Sequence, residues 1–333
     1  MDRSFRWLLI GSRSGIGSAV LRAALACGRA PVVGAMSAAE LQLARNHRLG
    51  HRALDLRDEE KIRRQLLGVE LVVQAGRLDL ASLERLGRAC LRQGCALVDL
   101  SDQLPEHLAL RRHAEVLESG DIPWIVSAGA ASVTASLLSA HLHDLLPDAA
   151  SLTLSTHGPD PRLAGIDLRW WRSGATESGW CVRKGELVDG VADRVATGRL
   201  HSYPWRADLA DGEHARRRLD VDALVELPVL LRSPRMRRAL ADRPVAASRI
   251  EHCVHRFGPP GWRRLTATGR VQCGQGHLKE ASLAIRDALE VQVRVVLGLV
   301  EALGQGRIPG GVHTPLAALG TRLAPMIGLH GGR

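Results

Sequence analysis

Eighteen residues near the amino terminus, LLIGSRSGIGSAVLRAAL (8–25), constrain this chain more than any other stretch. An apolar run ends at a glycine, two more glycines follow, and a helical pattern begins. The order reads as strand, tight turn and helix. Gly11 permits the turn directly after the strand, while Gly15 and Gly17 let backbone and helix come close to a ligand. A helix opening near Ile16 presents free N–H groups and the positive end of its dipole, which suits a pyrophosphate. The spacing is G-x-x-x-G-x-G, and it predicts a dinucleotide cradle made by Gly11, Ser12, Arg13, Ser14, Gly15, Ile16 and Gly17.

The next hundred residues extend the pattern. Trp7–Ile10, Pro31–Val33, Arg52–Leu54, Leu71–Val73, Ala96–Leu100 and Pro123–Ser127 read as strands. Helical patterns lie between them at Ile16–Cys27, Ala38–Asn46, Glu59–Leu67, Leu80–Gln93 and Pro105–Glu118. Such alternation requires a parallel sheet with helices on both faces, a Rossmann-type domain. Ligands in these sheets sit at the carboxyl ends of the strands. The second strand runs into Gly34-Ala35-Met36-Ser37, without an Asp or Glu to hold the adenosine ribose hydroxyls. With Arg13 in the loop able to reach a 2′-phosphate, Ser37 and its neighbours favour NADP, with NAD as the alternative. Asp55 and Leu56 follow the third strand and are expected to line the adenine pocket. Ala75 and Gly76 follow the fourth, beside the ribose and nicotinamide.

After Leu145-Leu146-Pro147-Asp148 the chain changes character. Ser151–Thr156 alternates as a strand, and much of 160–206 reads as irregular. Ser248–Phe257 and Arg263–Cys273 alternate around Gly258-Pro259-Pro260-Gly261 and are expected to form a hairpin. A long amphipathic helix is expected over Glu280–Leu303, closed by Gly304 and Gly306. The fold class is therefore α/β, a Rossmann-type parallel-sheet domain plus a second α+β domain with a largely antiparallel sheet. Its expected boundaries are 1–130 for the NAD(P)-binding domain, 131–280 for a substrate and dimerisation domain, and 281–333 for a C-terminal helix and tail.

Composition narrows the class. The net charge is +10, yet the only lysines are Lys61, Lys184 and Lys279, and Arg is mixed with Asp and Glu along the whole chain. No aromatic platform or nucleic-acid motif accompanies it, so nucleic acid is not the expected partner. The basic bias fits anionic small ligands or an acidic partner protein. No apolar run approaches the roughly 18–20 residues of a membrane span. The opening MDRSFRWLLIG reads as a first strand rather than a secretory signal, so a cytoplasmic protein is expected. Six dispersed cysteines without a C-x-x-C pair read as reduced thiols. The fourteen histidines include no spacing that brings three ligands together: His252 and Cys253 point to opposite faces of a strand, and His141 and His143 diverge on a helix. No metal is expected. The tryptophans Trp170, Trp171, Trp180 and Trp205 read as core of the second domain.

A short-chain dehydrogenase would need Tyr and Lys four residues apart. The only tyrosine is Tyr203, and Ala207 stands four residues on, so that chemistry is excluded. For proton transfer near a nicotinamide the candidates are Asp99, at the end of the fifth strand, and His277, before the last helix.

Four stretches, in this order, resemble the saccharopine dehydrogenase-like superfamily, and especially its bacterial trans-acting enoyl reductase branch. They are the glycine loop; VELVVQAG through ACLRQGCALVDLSDQLPEHLALRRHAEVLESG; LLPDAASLTLS; and SLAIRDALEVQVRVVLGLVEALGQGRIPGGVHTP. Leu97 stands where that family commonly has Tyr, Asp102-Gln103 replaces glycine-glutamate, and Ser127-Ala128-Gly129-Ala130 lacks the usual proline or aspartate. The resemblance implies hydride transfer with NAD(P)H to a small-molecule substrate, as a reductase of a C=C or C=N bond. It also implies a homodimer contact in the second domain and a C-terminal segment returning to the first. The Arg-rich surface suits a substrate carried on an acidic carrier protein. An amino-acid or opine-type dehydrogenase is the enzymatic alternative. A non-catalytic dinucleotide-binding sensor or assembly subunit is the alternative outside enzymes.

Overall fold

The computed structural model describes residues 5–76, 78–100, 110, 112–157, 179–183, 186–190, 194–195, 198–203, 214–220 and 264–328. The chain forms two compact units, one of Met1–Val133 with Leu289–Arg333 and the other of Thr134–Ala288.

The first unit is built on β1 (Trp7–Ile10), β2 (Val32–Ala35), β3 (His51–Ala53), β4 (Leu71–Gln74), β5 (Ala96–Asp99) and β6 (Pro123–Ile125). Helices α1 (Gly15–Ala26), α2 (Ala38–Asn46), α3 (Glu59–Gln65), α4 (Leu80–Gln93) and α5 (Ala114–Ser119) connect them. Strands β1, β4 and β5 are buried at every position, as strands covered on both faces must be. One face packs Leu8, Ile10, Val72 and Leu97 against Ile62 and Leu66 near α3, Leu83 and Leu86 of α4, and Trp124. The Trp124 indole donates to the Cys95 carbonyl at 3.1 Å, which satisfies its one polar atom inside the core. Helix α4 begins where Asp79 accepts from Ser82 N and stops at Gly94, whose φ of 65° is the left-handed conformation a helix C-terminus favours.

All pairings in this sheet are parallel, in the order β6-β5-β4-β1-β2-β3. A further strand from the tail, Gly311–His313, pairs in parallel with β6. The chain runs outward from β1 to β3 and then returns to β4 on the other side of β1. The order reverses between β1 and β4, and in sheets of this kind ligands bind at the carboxyl ends of the strands beside such a reversal.

In the second unit, α6 (Ala130–Leu145) leads into β7 (Ala149–His157). The other strands are β8 (Gly179–Arg183), β9 (Glu186–Gly190), β10 (Arg194–Val195), β11 (Gly198–Tyr203), β12 (His214–Asp220), β13 (Leu265–Cys273) and β14 (Leu278–Ile285). The sheet order is β10-β11-β12-β7-β13-β14, with β8 pairing β12 and β9. Every pairing is antiparallel except β12 with β7. Along β13 the inward side chains Leu265, Ala267, Val271 and Cys273 alternate with exposed Thr268, Arg270 and Gln272. Gly269 belongs to the inward set, and a Cβ there would meet Leu142 at 2.4 Å and Leu154 at 2.6 Å. Leu138 and Leu142 of α6 thus close down on the sheet.

Three expectations need correction. Strands β8 to β11 occupy parts of 160–206, much of which reads as irregular in the sequence. The partners of β13 are β7 and β14, one on each edge, whereas Ser248–Phe257 and its Gly-Pro turn lie outside the described residues. The last long helix, α7 (Ala288–Gly304), starts at Ala288 and not at Glu280. Residues 278–285 are rich in good helix formers, but Leu283 and Ile285 alternate with exposed Ser282 and Ala284, and sheet pairing overrides propensity. The tail strand Gly311–His313, β15, follows α7, and the short helix α8 (Pro315–Leu319) follows it.

Candidate cofactor site

Backbone hydrogen bonds stitch together the carboxyl ends of four strands in the first unit. Ala75 N donates to Ile10 O at 3.0 Å, Leu100 N to Gln74 O at 3.1 Å, and Ala128 N to Asp99 O at 2.9 Å. The loops leaving β1, β4, β5 and β6 therefore share one rim.

On that rim the glycine loop is locked to the exit of β4. Ser14 caps α1: its hydroxyl accepts from Gly17 N at 2.9 Å and donates to the Ala75 carbonyl at 2.8 Å. Gly11 has a φ of 77°, and a Cβ there would lie 2.3 Å from Gly76 Cα. A Cβ on Gly17 would lie 2.0 Å from the Gly11 carbonyl oxygen. Gly11 and Gly17 are thus required by the contact of loop with turn. Gly15 is half-buried at the first position of α1. The first turn of α1 itself carries no acidic residue to oppose an anion at its N-terminus.

The expected residues differ in how they are placed. Ile16 is fully buried and can serve the loop only through its backbone. Ser12 is also fully buried, and its hydroxyl has no partner among the described residues. Arg13 is exposed on the loop. Leu56 is buried, and its carbonyl accepts from Arg85 Nε at 2.8 Å. Asp55 accepts from Arg57 Nε at 2.9 Å and from Arg57 N at 3.2 Å. The Arg57 side-chain bond, helped by its backbone bond, lowers the Asp55 carboxyl to about 2.

Sequence reasoning missed two side chains. The amide of Gln74 bridges the turn after β4, donating to Gly76 O at 2.9 Å and accepting from Gly76 N at 3.0 Å. It holds Gly76 against Gly11. The second is Glu40, only 5% exposed, which folds back from α2. Its carboxylate accepts from Met36 N at 2.9 Å and from the Ser37 hydroxyl at 3.2 Å, and Ser37 accepts from Glu40 N at 3.3 Å. An acid therefore does stand at the end of β2, supplied by a residue of the following helix. The Ser-x-x-Glu spacing of a capping box was its signal.

Of the proton-transfer candidates, Asp99 lies on the rim and is 1% exposed. His277 lies in the second unit, in the exposed turn between β13 and β14, where its carbonyl accepts from Cys273 N at 3.0 Å. It precedes β14 and not the last helix. Beyond β6, Ser127 has a φ of 53°, a strained value for a residue with a side chain. The fully buried Gln292 of α7 donates to the adjoining Ala128 carbonyl at 3.4 Å. Among the described residues no group of three or more His, Cys, Asp or Glu side chains is placed to hold a metal ion. No described helix is long and apolar enough to cross a membrane. Residues Trp170, Trp171, Trp205, His252 and Cys253 lie outside the described residues.

No protein-family model matches the chain, and no curated protein matches it. Solved structures do. The chain is similar to apo saccharopine dehydrogenase (L-Glu forming) from Saccharomyces cerevisiae, with 14% identity over 97% of this chain and 96% of that chain, at a TM-score of 0.57. At that identity the likeness shows the fold: this chain has the two-part fold of saccharopine dehydrogenase. A substituted meso-dapdh from Clostridium tetani, with DAP, is also 14% identical over 96% of both chains, at a TM-score of 0.49. GenD2 from gentamicin A biosynthesis, in complex with NAD, is 15% identical over 99% of this chain and 93% of that chain, at 0.44.

Proposed function

We propose that the chain is an oxidoreductase dependent on a nicotinamide dinucleotide. The carrying observation is the glycine loop locked by Ser14 onto Ala75 and Gly76, at the reversal of strand order and at the start of α1. The fit is good: a close-packed loop, a helix N-terminus without acids, and the buried, unpartnered hydroxyl of Ser12. The N–H groups opening α1 would hold the pyrophosphate, with Arg13 beside it. Ser37, Asp55 and Leu56 would flank the adenosine, and Ala75 and Gly76 the nicotinamide ribose. When bound, the cofactor supplies a hydride.

The chain's own contribution is positional and protic. Gln74 holds the β4 exit so that the loop keeps its shape. Asp99, on the same rim, is the group proposed to hold or pass the proton that must accompany hydride addition to a C=C or C=N bond, and His277 is the second candidate. Within this reading we favour the trans-acting enoyl reductase type, acting on a carrier-bound acyl group. The Arg-rich composition, which suits an acidic carrier, and the ordered sequence resemblance support it. The second unit is assigned the homodimer contact; a single species of 36.0 kDa in sedimentation at micromolar concentration would remove that assignment.

Two measurements test the core of the proposal. Calorimetric titration with NADH and NADPH should show binding that Gly15→Asp abolishes while circular dichroism stays unchanged, because a carboxylate would meet the pyrophosphate. Oxidation of reduced cofactor against enoyl thioesters and imines should then show turnover that Asp99→Asn lowers without weakening cofactor binding. Binding without turnover on any such substrate would favour the sensor alternative, and undiminished binding by Gly15→Asp would remove the cofactor site.

A further inference from the structure

The β2–α2 turn carries more than the sequence suggested. In a sheet of this order, the adenosine ribose lies where β2 ends, and the groups there decide whether a 2′-phosphate is admitted. A phosphate at such a place needs free donors: a backbone N–H, a cap hydroxyl, the opening of the next helix. Here the donors are Met36 N, the Ser37 hydroxyl and the N-terminus of α2. Glu40 has taken the first two, at 2.9 and 3.2 Å. Ser37 in turn is committed to Glu40 N as the helix cap. The carboxylate thus occupies donors that such a phosphate would need, and it is 95% removed from solvent that would screen it.

Building on the dinucleotide reading above, we infer that Glu40 is a specificity-determining residue that excludes a 2′-phosphate, so that the site takes NAD(H) in preference to NADP(H). The absence of an acid at Ala35 or Met36 had argued for NADP; the acid arrives three residues after Ser37 and by a different route. A dianionic phosphate would have to displace Glu40 from both donors or sit beside its negative charge. Arg13, the only cation of the loop, is exposed and offsets little of that repulsion. Its place on the loop then suits the pyrophosphate, which both cofactors share.

The test is a calorimetric comparison of NADH with NADPH, repeated with the fragments AMP and adenosine 2′,5′-bisphosphate, on the full chain and on Glu40→Gln. Glutamine keeps the capping box, since it can accept from Met36 N and Ser37 as glutamate does, so the helix start survives. Glu40→Ser is the second variant, which opens the space should the glutamine keep the donors occupied. The native chain should bind NADH at least about tenfold more tightly than NADPH, the scale of a like-charge contact at a protein surface. In the two variants that ratio should fall to near one or invert, with NADH affinity little changed, and the fragment pair should follow the same order. A native preference for NADPH, or a ratio that neither folded variant moves, overturns the assignment of Glu40. Failure of every dinucleotide and fragment to bind the folded native chain would instead overturn the cofactor site itself, and the inference with it.

Discussion

Replacing Gly17 by alanine probes the loop at its tightest point. The added Cβ would lie 2.0 Å from the Gly11 carbonyl oxygen, 2.8 Å from the Gly11 carbonyl carbon and 2.9 Å from Ser14 Oγ. Carbon and carbonyl oxygen meet at roughly 3.3 Å, so loop and helix must separate by more than about 1 Å. Neither neighbour can yield cheaply. Gly11 is pressed against Gly76, and Ser14 is tied to both Gly17 N and Ala75 O. Losing the Ser14 cap costs about 1 kcal/mol. Forcing a methyl into packed backbone adds about 1–3 kcal/mol. The folded state should therefore lose about 2–4 kcal/mol, read as a lower denaturation midpoint in urea with an unchanged slope. NADH affinity should fall at least about 30-fold in calorimetry, because the N–H groups that face the pyrophosphate move with the loop. Gly274→Ala is the control: nothing lies within 4 Å of its Cβ, and the change should stay within about 0.5 kcal/mol. Native stability and native affinity in Gly17→Ala would refute the closure of loop on turn.

Two further outcomes follow from single groups. Cys27 is exposed and should react promptly with a thiol reagent, whereas buried Cys90 and Cys95 should wait for unfolding. Burial pushes the Cys95 thiol up to about 12 and raises Cys90 well above the usual thiol range, so labelling of either at the rate of Cys27 would contradict the packing of α4 on β5. Asp55 should titrate near 2 in carbon-detected NMR, since Arg57 favours its charged form. A lowered carboxyl contributes stability above its unfolded value of about 3.9, and that stability is lost as pH falls through the folded value. The turn before α3 should then weaken between about pH 4 and pH 2 and not near neutrality; a midpoint for Asp55 near 4 would show that the Arg57 bond is not kept in solution.

Much of the first unit was legible because its signals are local. Hydrophobic runs such as LVV at 71–73 are strands buried on both faces, and the helix limits at Ala38–Asn46 and Leu80–Gln93 coincide with their caps, Ser37 and Asp79. What stayed hidden depends on contacts between segments. The amide of Gln74 gains its role only when β4 lies beside β1, and the glycines at 11, 17 and 76 reveal their need for space only against one another. Glu40 was hidden for a different reason: its capping spacing is local, but its meaning depends on what lies above the end of β2. In the second unit, residues 278–285 show composition misleading where pairing decides, since helix formers became a strand against β13. Asp99 and His277 were both chosen by position along the chain; Asp99 stands on the rim of strand ends in the first unit, and His277 in a turn of the second.

The most direct test of the central claim is a crystal structure of the chain grown with NADH. The pyrophosphate should lie over the N–H groups that open α1, between Gly11 and Gly17, with the adenosine toward the end of β2 and the nicotinamide toward Gln74 and Asp99. NADH bound anywhere else, or a glycine loop left empty at saturating NADH, would contradict it.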